Sequence, residues 1–237
     1  MIELRDFLRG IVGSIFLVVI FSSCGGLAED RSQLPNILFI LADDLGYGDV
    51  GSYNPSSRIP TPNLDKLSRK GIRFTDAHSP ATVCTPTRYG ILTGRMPFRT
   101  GFKQGVFNGA GGPCLIEKER LTIGNMLKDK GYTTALFGKW HVGLTFFDDL
   151  GQPIHSNSFE AVKKIDYSRP IPDGPINRGF DHFFGTACCP TTDWLYAFID
   201  GDHIPVPPTH RLNQTNLPKH YYSKDNDPGI IAPDYDL

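Results

Sequence analysis

The chain opens with a mostly apolar stretch, Ile11 to Phe21, set behind the basic residues Arg5 and Arg9. That stretch is too short to span a bilayer comfortably. Gly26-Leu27-Ala28 follows it before Glu29, so the pattern predicts an export signal over residues 1–28. A second apolar run, Asn36-Ile37-Leu38-Phe39-Ile40-Leu41-Ala42, stops abruptly at Asp43-Asp44. A short run with no polar interruption predicts a strand buried on both faces, as in parallel α/β sheets. Carboxylates at the C-terminal end of such a strand lie where open α/β sheets place their ligands. Gly46, Gly48 and Gly51 then predict a tight loop.

Downstream, Thr61-Pro62 reads as a helix start, with Leu64 and Leu67 on one face and Gly71 as the stop. Ile72 to Asp76 alternates like a strand. A helix is expected from about Pro86 to Leu92. Another runs from Ile123 to Lys130, capped by Thr122 and ended by Gly131, and Tyr132 to Phe137 follows as a strand. Beyond Phe146 the pattern weakens. Gly179 to Gly185 and Leu195 to Ile199 are short apolar pieces between Pro-rich loops, and 205–237 carries no convincing regular element. The order of elements argues for an α/β fold with a largely parallel sheet.

Composition changes this picture little. The chain has 237 residues, 40% of them hydrophobic and 21% charged, with a formal net charge of −1. That length suffices for one substantial domain, and that balance gives no bulk electrostatic reason to expect a nucleic-acid partner. The five cysteines say more. Ser22-Ser23-Cys24 offers a lipidated exit as the alternative to simple cleavage, anchoring the chain through Cys24. Cys114, Cys188 and Cys189 are an odd set for an oxidising compartment, and one disulfide from Cys114 to either vicinal cysteine is allowed. No CxxC pair or His–Cys cluster with zinc spacing occurs, which argues against a structural zinc site.

The densest chemistry lies in Cys84-Thr85-Pro86-Thr87-Arg88, followed by Leu92-Thr93-Gly94-Arg95. A helix starting beside Cys84 would aim free N–H groups and a positive dipole end at an anion. Arg88, four residues on, would reach back to the same face. Asp43 and Asp44, at a strand end and followed by a glycine turn, suit a hard cation, calcium or magnesium. Gly138-Lys139-Trp140-His141 follows a predicted strand and supplies a cation and a near-neutral proton carrier.

Cys-x-Pro-x-Arg with its Leu-Thr-Gly-Arg extension closely resembles the signature of the sulfatase family. Leu41 to Gly46 and Gly131 to His141 resemble that family's other N-terminal motifs, with Val142 where Leu or Met is usual. The resemblance covers about Pro35 to Gly185. It implies an alkaline-phosphatase-like fold, a mostly parallel sheet sandwiched by helices. Residues 35–237 would be the N-terminal part of the catalytic domain, lacking the later strands and the C-terminal subdomain. It also implies that a dedicated maturation enzyme oxidises Cys84 to formylglycine before the chain folds, and the hydrate of that aldehyde is a geminal diol.

One diol oxygen would attack sulfur and the other would expel sulfate, so the covalent intermediate carries its own release step. Arg88, Lys139 and His141 would be catalytic. Asp43, Asp44 and the converted Cys84 would hold calcium. Substrates would be sulfated carbohydrates or aryl sulfates, and the chain would act in the periplasm or outside the cell.

Lesser candidates are His78 (packing or surface), His182 (pocket wall), and Asp193, Trp194, Tyr196 and Asp202 (specificity). Asp49 is expected outside the cation's immediate ligands, Asn213-Gln214-Thr215 is a glycosylation sequon, and Asp225-Asn226 reads as loop. Two alternatives stay open: an inactive remnant of the family, or a phosphate-ester hydrolase of the same superfamily, against which the cysteine argues because Ser or Thr normally stands there.

Overall fold

The structure is a computed structural model that describes residues 34–102, 105–189, 193–211 and 230–231. The export signal with Cys24, the Asn213 sequon and the Asp225-Asn226 pair lie outside the described residues. The chain divides into two units, 1–41 and 42–237. In the first, the expected buried strand is absent: residues 34–41 carry no regular element and are exposed, Leu38 to 84%. An apolar run becomes a buried strand only with ladder partners, and this one has none among the described residues. The strand expected at Ile72 to Asp76 is missing for the same reason, with Ile72 and Phe74 exposed.

The second unit begins with a 3-10 turn, Tyr47–Asp49, in which the Asp49 carboxylate accepts the Gly46 N–H at 2.9 Å. Helix α1, Pro62–Lys70, starts at its proline and ends at Gly71 as the sequence predicts. Helix α2 is Cys84–Thr93, closed by Gly94 in the left-handed conformation. It starts two residues earlier than expected, which places Pro86 third rather than first. A proline is tolerated anywhere in the first turn, whose N–H groups have no intrahelical partner. Helix α3, Ile123–Asp129, carries the Thr122 cap, whose side chain accepts the Asn125 N–H.

Strand β1 is Ala135–Lys139, displaced towards the C-terminus from the expected Tyr132 to Phe137. Tyr132 still closes the end of α3 by donating to the Leu127 carbonyl, so the chain extends only after that turn. Strands β2 (Phe146–Phe147) and β3 (Pro153–Ile154) form a small antiparallel ribbon, followed by the short helix α4, Phe159–Val162. Strand β4, His182–Thr186, pairs with β1 in parallel over five residues. Strands β5 (Leu195–Tyr196) and β6 (Ile199–Asp200) follow, and β6 closes the other edge of β4 in antiparallel fashion. Two-residue strands β7 (His210–Arg211) and β8 (Ile230–Ile231) complete a second three-stranded sheet with β5. They fall where no regular element was expected.

The core gathers where β1 and β4 end, around Tyr89, Ile116, Trp140, Val142, Leu144, Phe183 and Ile199. The opposite face of β1 is open, with Phe137 exposed to 74%. Gly138 and Gly185 face each other across the β1–β4 ladder. A Cβ on Gly185 would run into the Gly138 carbonyl, a backbone atom that cannot swing aside. Gly185→Ala is therefore expected to lower unfolding free energy by more than about 3 kcal/mol, read by denaturant titration.

Candidate active site

Helix α2 places Cys84 at its first position and Arg88 one turn later. Thr85, fully buried, fixes this end of the helix. Its hydroxyl donates to the His141 carbonyl at 2.8 Å and accepts the Phe107 N–H at 3.2 Å. Strand β1 delivers Lys139 as its last residue. The ladder direction continues through Trp140 and His141, whose N–H groups donate to the carbonyls of Thr186 and Ala187 at 3.0 and 2.9 Å. His141 then turns at φ 58°. Asp44 adopts φ 57°, and these two are the non-glycine residues with positive φ among the described residues. Left-handed backbone costs a non-glycine residue about 1 kcal/mol or more, and such strain concentrates at functional sites.

The Lys139 ammonium joins these parts. Its Nζ lies 3.2 Å from Cys84 Sγ and 3.1 Å from Cys189 Sγ, and pairs with the Asp43 carboxylate. Arg88 reaches the same carboxylate at 3.4 Å and donates to the Lys139 carbonyl. Asp43 Oδ1 is 3.8 Å from Cys84 Sγ. Burial works to raise the Asp43 carboxyl, but Lys139 and Arg88 outweigh it and hold it below its usual value. Burial also works against the charged Lys139, yet Asp43 and the two sulfurs keep the ammonium favoured. The Cys84 thiol is pushed up by burial, only partly offset by Lys139. It is therefore a poor thiolate as it stands.

His141 is fully buried, and its Nε2 sits 2.6 Å from the Phe107 carbonyl. A carbonyl only accepts, so Nε2 carries the proton and Nδ1 keeps its lone pair, 3.8 Å from Cys189 Sγ. Burial, reinforced by Lys139 and Arg88, lowers the imidazole to about 4. Asp193 is a second buried group. It accepts the N–H groups of Gly109 and Trp194 at 2.6 and 2.8 Å and has the buried Cys188 thiol beside it, and burial outweighs these contacts and raises it to about 6.

These shifts act oppositely on stability. Stability that His141 contributes is present above about 6.5 and is lost as pH falls through about 4. Stability linked to Asp193 is present below about 3.8 and is lost as pH rises through about 6. Asp193→Asn is thus expected to raise unfolding free energy at pH 7.5 by about 1–3 kcal/mol. It should also steepen the loss between pH 6.5 and 4, because only the His141 contribution then remains; melts across pH check both.

The other sequence candidates lie elsewhere. His78 is exposed and pairs with Asp76 at 2.7 Å. His182 is an exposed residue opposite Ala135 in the ladder. Tyr196 is core, Trp194 packs half-buried against it, and Asp202 pairs with His203 at 2.6 Å. All four described cysteines are free. Thr85, Phe107 and Cys189 enter the site without having been singled out for it. A cleft of about 820 Å³ lined by Ser52, Thr61, Asp65, Arg69 and Arg73 includes none of the site residues.

Asp43 and Asp44 are oxygen donors, as a hard cation requires. They fit such an ion as part of its shell, since two carboxylates fall short of the six or more oxygens it takes.

The sulfatase family model matches residues 35–219. The chain is 50% identical to bovine arylsulfatase A over 176 residues, 73% of this chain and 32% of that protein. It is 41% identical over 117 residues to an N-acetylgalactosamine-6-O-sulfatase of Bacteroides thetaiotaomicron, 48% of this chain and 22% of that one. A solved structure described with glycosaminoglycan metabolism by the same bacterium superposes with TM-score 0.61 at 30% identity, covering 76% of this chain and 36% of its own. The chain thus spans about a third or less of the length of these relatives.

Proposed function

The chain belongs to the sulfatase family, with its mixed α/β, alkaline-phosphatase-like fold, and from that footing we propose that it carries the nucleophile and the cationic clamp of a sulfuric ester hydrolase of the arylsulfatase type. The supporting observation is the set of charges converging on residue 84. A side chain at a helix start is touched by Lys139, which shares the Asp43 carboxylate with Arg88.

Converted to hydrated formylglycine, residue 84 supplies a geminal diol, one oxygen to attack sulfur and a second hydroxyl whose deprotonation expels sulfate. The raised Cys84 pKa agrees with a need for that conversion, since the thiol itself is a weak nucleophile near neutral pH. Lys139, an ammonium held in a partly dry site, binds the sulfate oxygens as negative charge builds on them. Arg88 orients Lys139 through its carbonyl and adds a second positive group on the same side. His141 is neutral with a free Nδ1, so it can accept a proton from residue 84's hydroxyl or return one to the leaving alcohol. A calcium ion held by Asp43, Asp44 and the converted residue 84 would acidify the diol and screen the ester's charge.

The substrates are sulfated carbohydrates or aryl sulfates. The chain is exported, through its N-terminal signal or a lipid on Cys24, after a formylglycine-generating enzyme has acted.

The test is mass spectrometry of the peptide containing residue 84, purified after co-expression with that enzyme. The peptide should lose the thiol in favour of an aldehyde, and an aryl sulfate should be cleaved in preference to the matching phosphate monoester. An unaltered cysteine, or phosphate as the preferred ester, would sink the proposal.

A further inference from the structure

We propose that, in a folded chain whose residue 84 has stayed a cysteine, Cys84, Cys189 and His141 form a binding site for one soft divalent metal ion of the zinc class. Their donor atoms, two sulfurs and one ring nitrogen, all lie within 4.8 Å of one another. No sequence motif announces them. They come from the start of α2, the turn after β1 and the turn after β4, which the parallel β1–β4 pairing brings together. A tetrahedral ion with metal–sulfur bonds near ~2.3 Å needs its donors about 3.5 Å apart, so side-chain shifts on the order of 1 Å close the shell.

Two further observations point the same way. His141 donates its Nε2 proton to the Phe107 carbonyl and leaves Nδ1 facing Cys189. This is the outer contact that metal-bound imidazoles characteristically make, because it fixes the tautomer and the ring orientation. Secondly, the space between the sulfurs already holds a cation: Lys139 Nζ lies 3.2 and 3.1 Å from them. A divalent ion entering there takes the place of the ammonium, which remains on Asp43. The fourth position falls to water or to Asp43 Oδ1, 3.8 Å from Cys84 Sγ. Thiolate donors select this ion over the oxygen-seeking cation expected at Asp43 and Asp44. Binding releases one proton from each of the two thiols to solvent, and no electrons change hands.

This site rests on the cysteine form of residue 84 and is independent of which ester the converted chain hydrolyses. Conversion removes one of its three donors, so bound metal and formylglycine exclude one another.

The test uses the chain purified without the maturation enzyme, in a reductant that does not itself bind metal, titrated with Co²⁺ as the probe. One equivalent should bind with sulfur-to-cobalt charge-transfer absorption and be displaced by Zn²⁺. Cys189→Ser should lose that absorption while Cys188→Ala keeps it. Lys139→Met, which empties the space between the sulfurs, should still bind one Co²⁺ with the same absorption, because the ion replaces two thiol protons and the charge at the site is unchanged. Absorption without thiolate bands, bands that survive Cys189→Ser, or their loss in Cys188→Ala or in Lys139→Met while the variant is folded by circular dichroism, would overturn the site. Material shown by mass to carry formylglycine should bind no cobalt there. If no conversion is ever found, the catalytic reading fails while the cobalt titration still decides the metal site.

Discussion

Lys139→Met is expected to lower kcat for an aryl sulfate by about a hundredfold to a thousandfold in matured protein, with a much smaller change in KM. The magnitude follows from removing one pre-positioned charge from a site that excludes much of the water. Lys139 has only 8% of its side chain exposed and touches Asp43, Cys84 and Cys189 together. Met keeps the length and apolar stem of the residue, so packing around β1 is preserved while the charge is lost. The split between kcat and KM carries the information. An ammonium that served only to pair with Asp43 would change stability and leave kcat within about tenfold of the parent. Steady-state kinetics on protein matched for formylglycine content distinguishes the two.

The second large effect is structural. Thr85→Val keeps the shape of the side chain and deletes its hydroxyl, leaving the buried Phe107 N–H and His141 carbonyl each short of a partner. Each such orphan costs about 1–3 kcal/mol, so the variant should lose about 2–6 kcal/mol of unfolding free energy by denaturant titration. Thr93→Val, at the far end of the same helix, is the control. Its hydroxyl donates to the Tyr89 carbonyl at 2.7 Å and accepts the Arg95 N–H at 3.2 Å, but Thr93 is half-buried, so water can take over both partners and the removal should cost about 1 kcal/mol, well below Thr85→Val. Equal losses in the two variants would show that Thr85 is an ordinary helix residue.

Much of the site was legible because it is written as local motifs. Cys84 and Arg88 share one helical turn, and Lys139 and His141 sit at one strand end, so short-range geometry already implied a common face. The structure brings Asp43 to the same point. Thr85, Phe107 and Cys189 were not legible, because each acts through a contact across a long stretch of chain with no periodicity to announce it. Cys189 was visible only as one of two vicinal thiols open to a disulfide.

For the fold, hydrophobic pattern located α1, α2 and α3, since caps and stops such as Thr122 and Gly131 are local, and missed the single turn of α4. It failed at 36–42 and 72–76 for a physical reason: apolarity marks a segment that would be strand if a neighbour offered its edge, and says nothing of whether the neighbour is there. At β1 the helix-closing turn through Tyr132 consumed residues that the pattern had assigned to the strand.

The Thr85 contacts also supply a reporter. Phe107 contributes its N–H to Thr85 and its carbonyl to His141, so one residue joins the helix that bears Cys84 to the imidazole beside it. Its amide proton can exchange with deuterium only when that junction opens. The exchange rate at this one position therefore reads the opening equilibrium of that junction, and it does so in a chain that has no substrate bound.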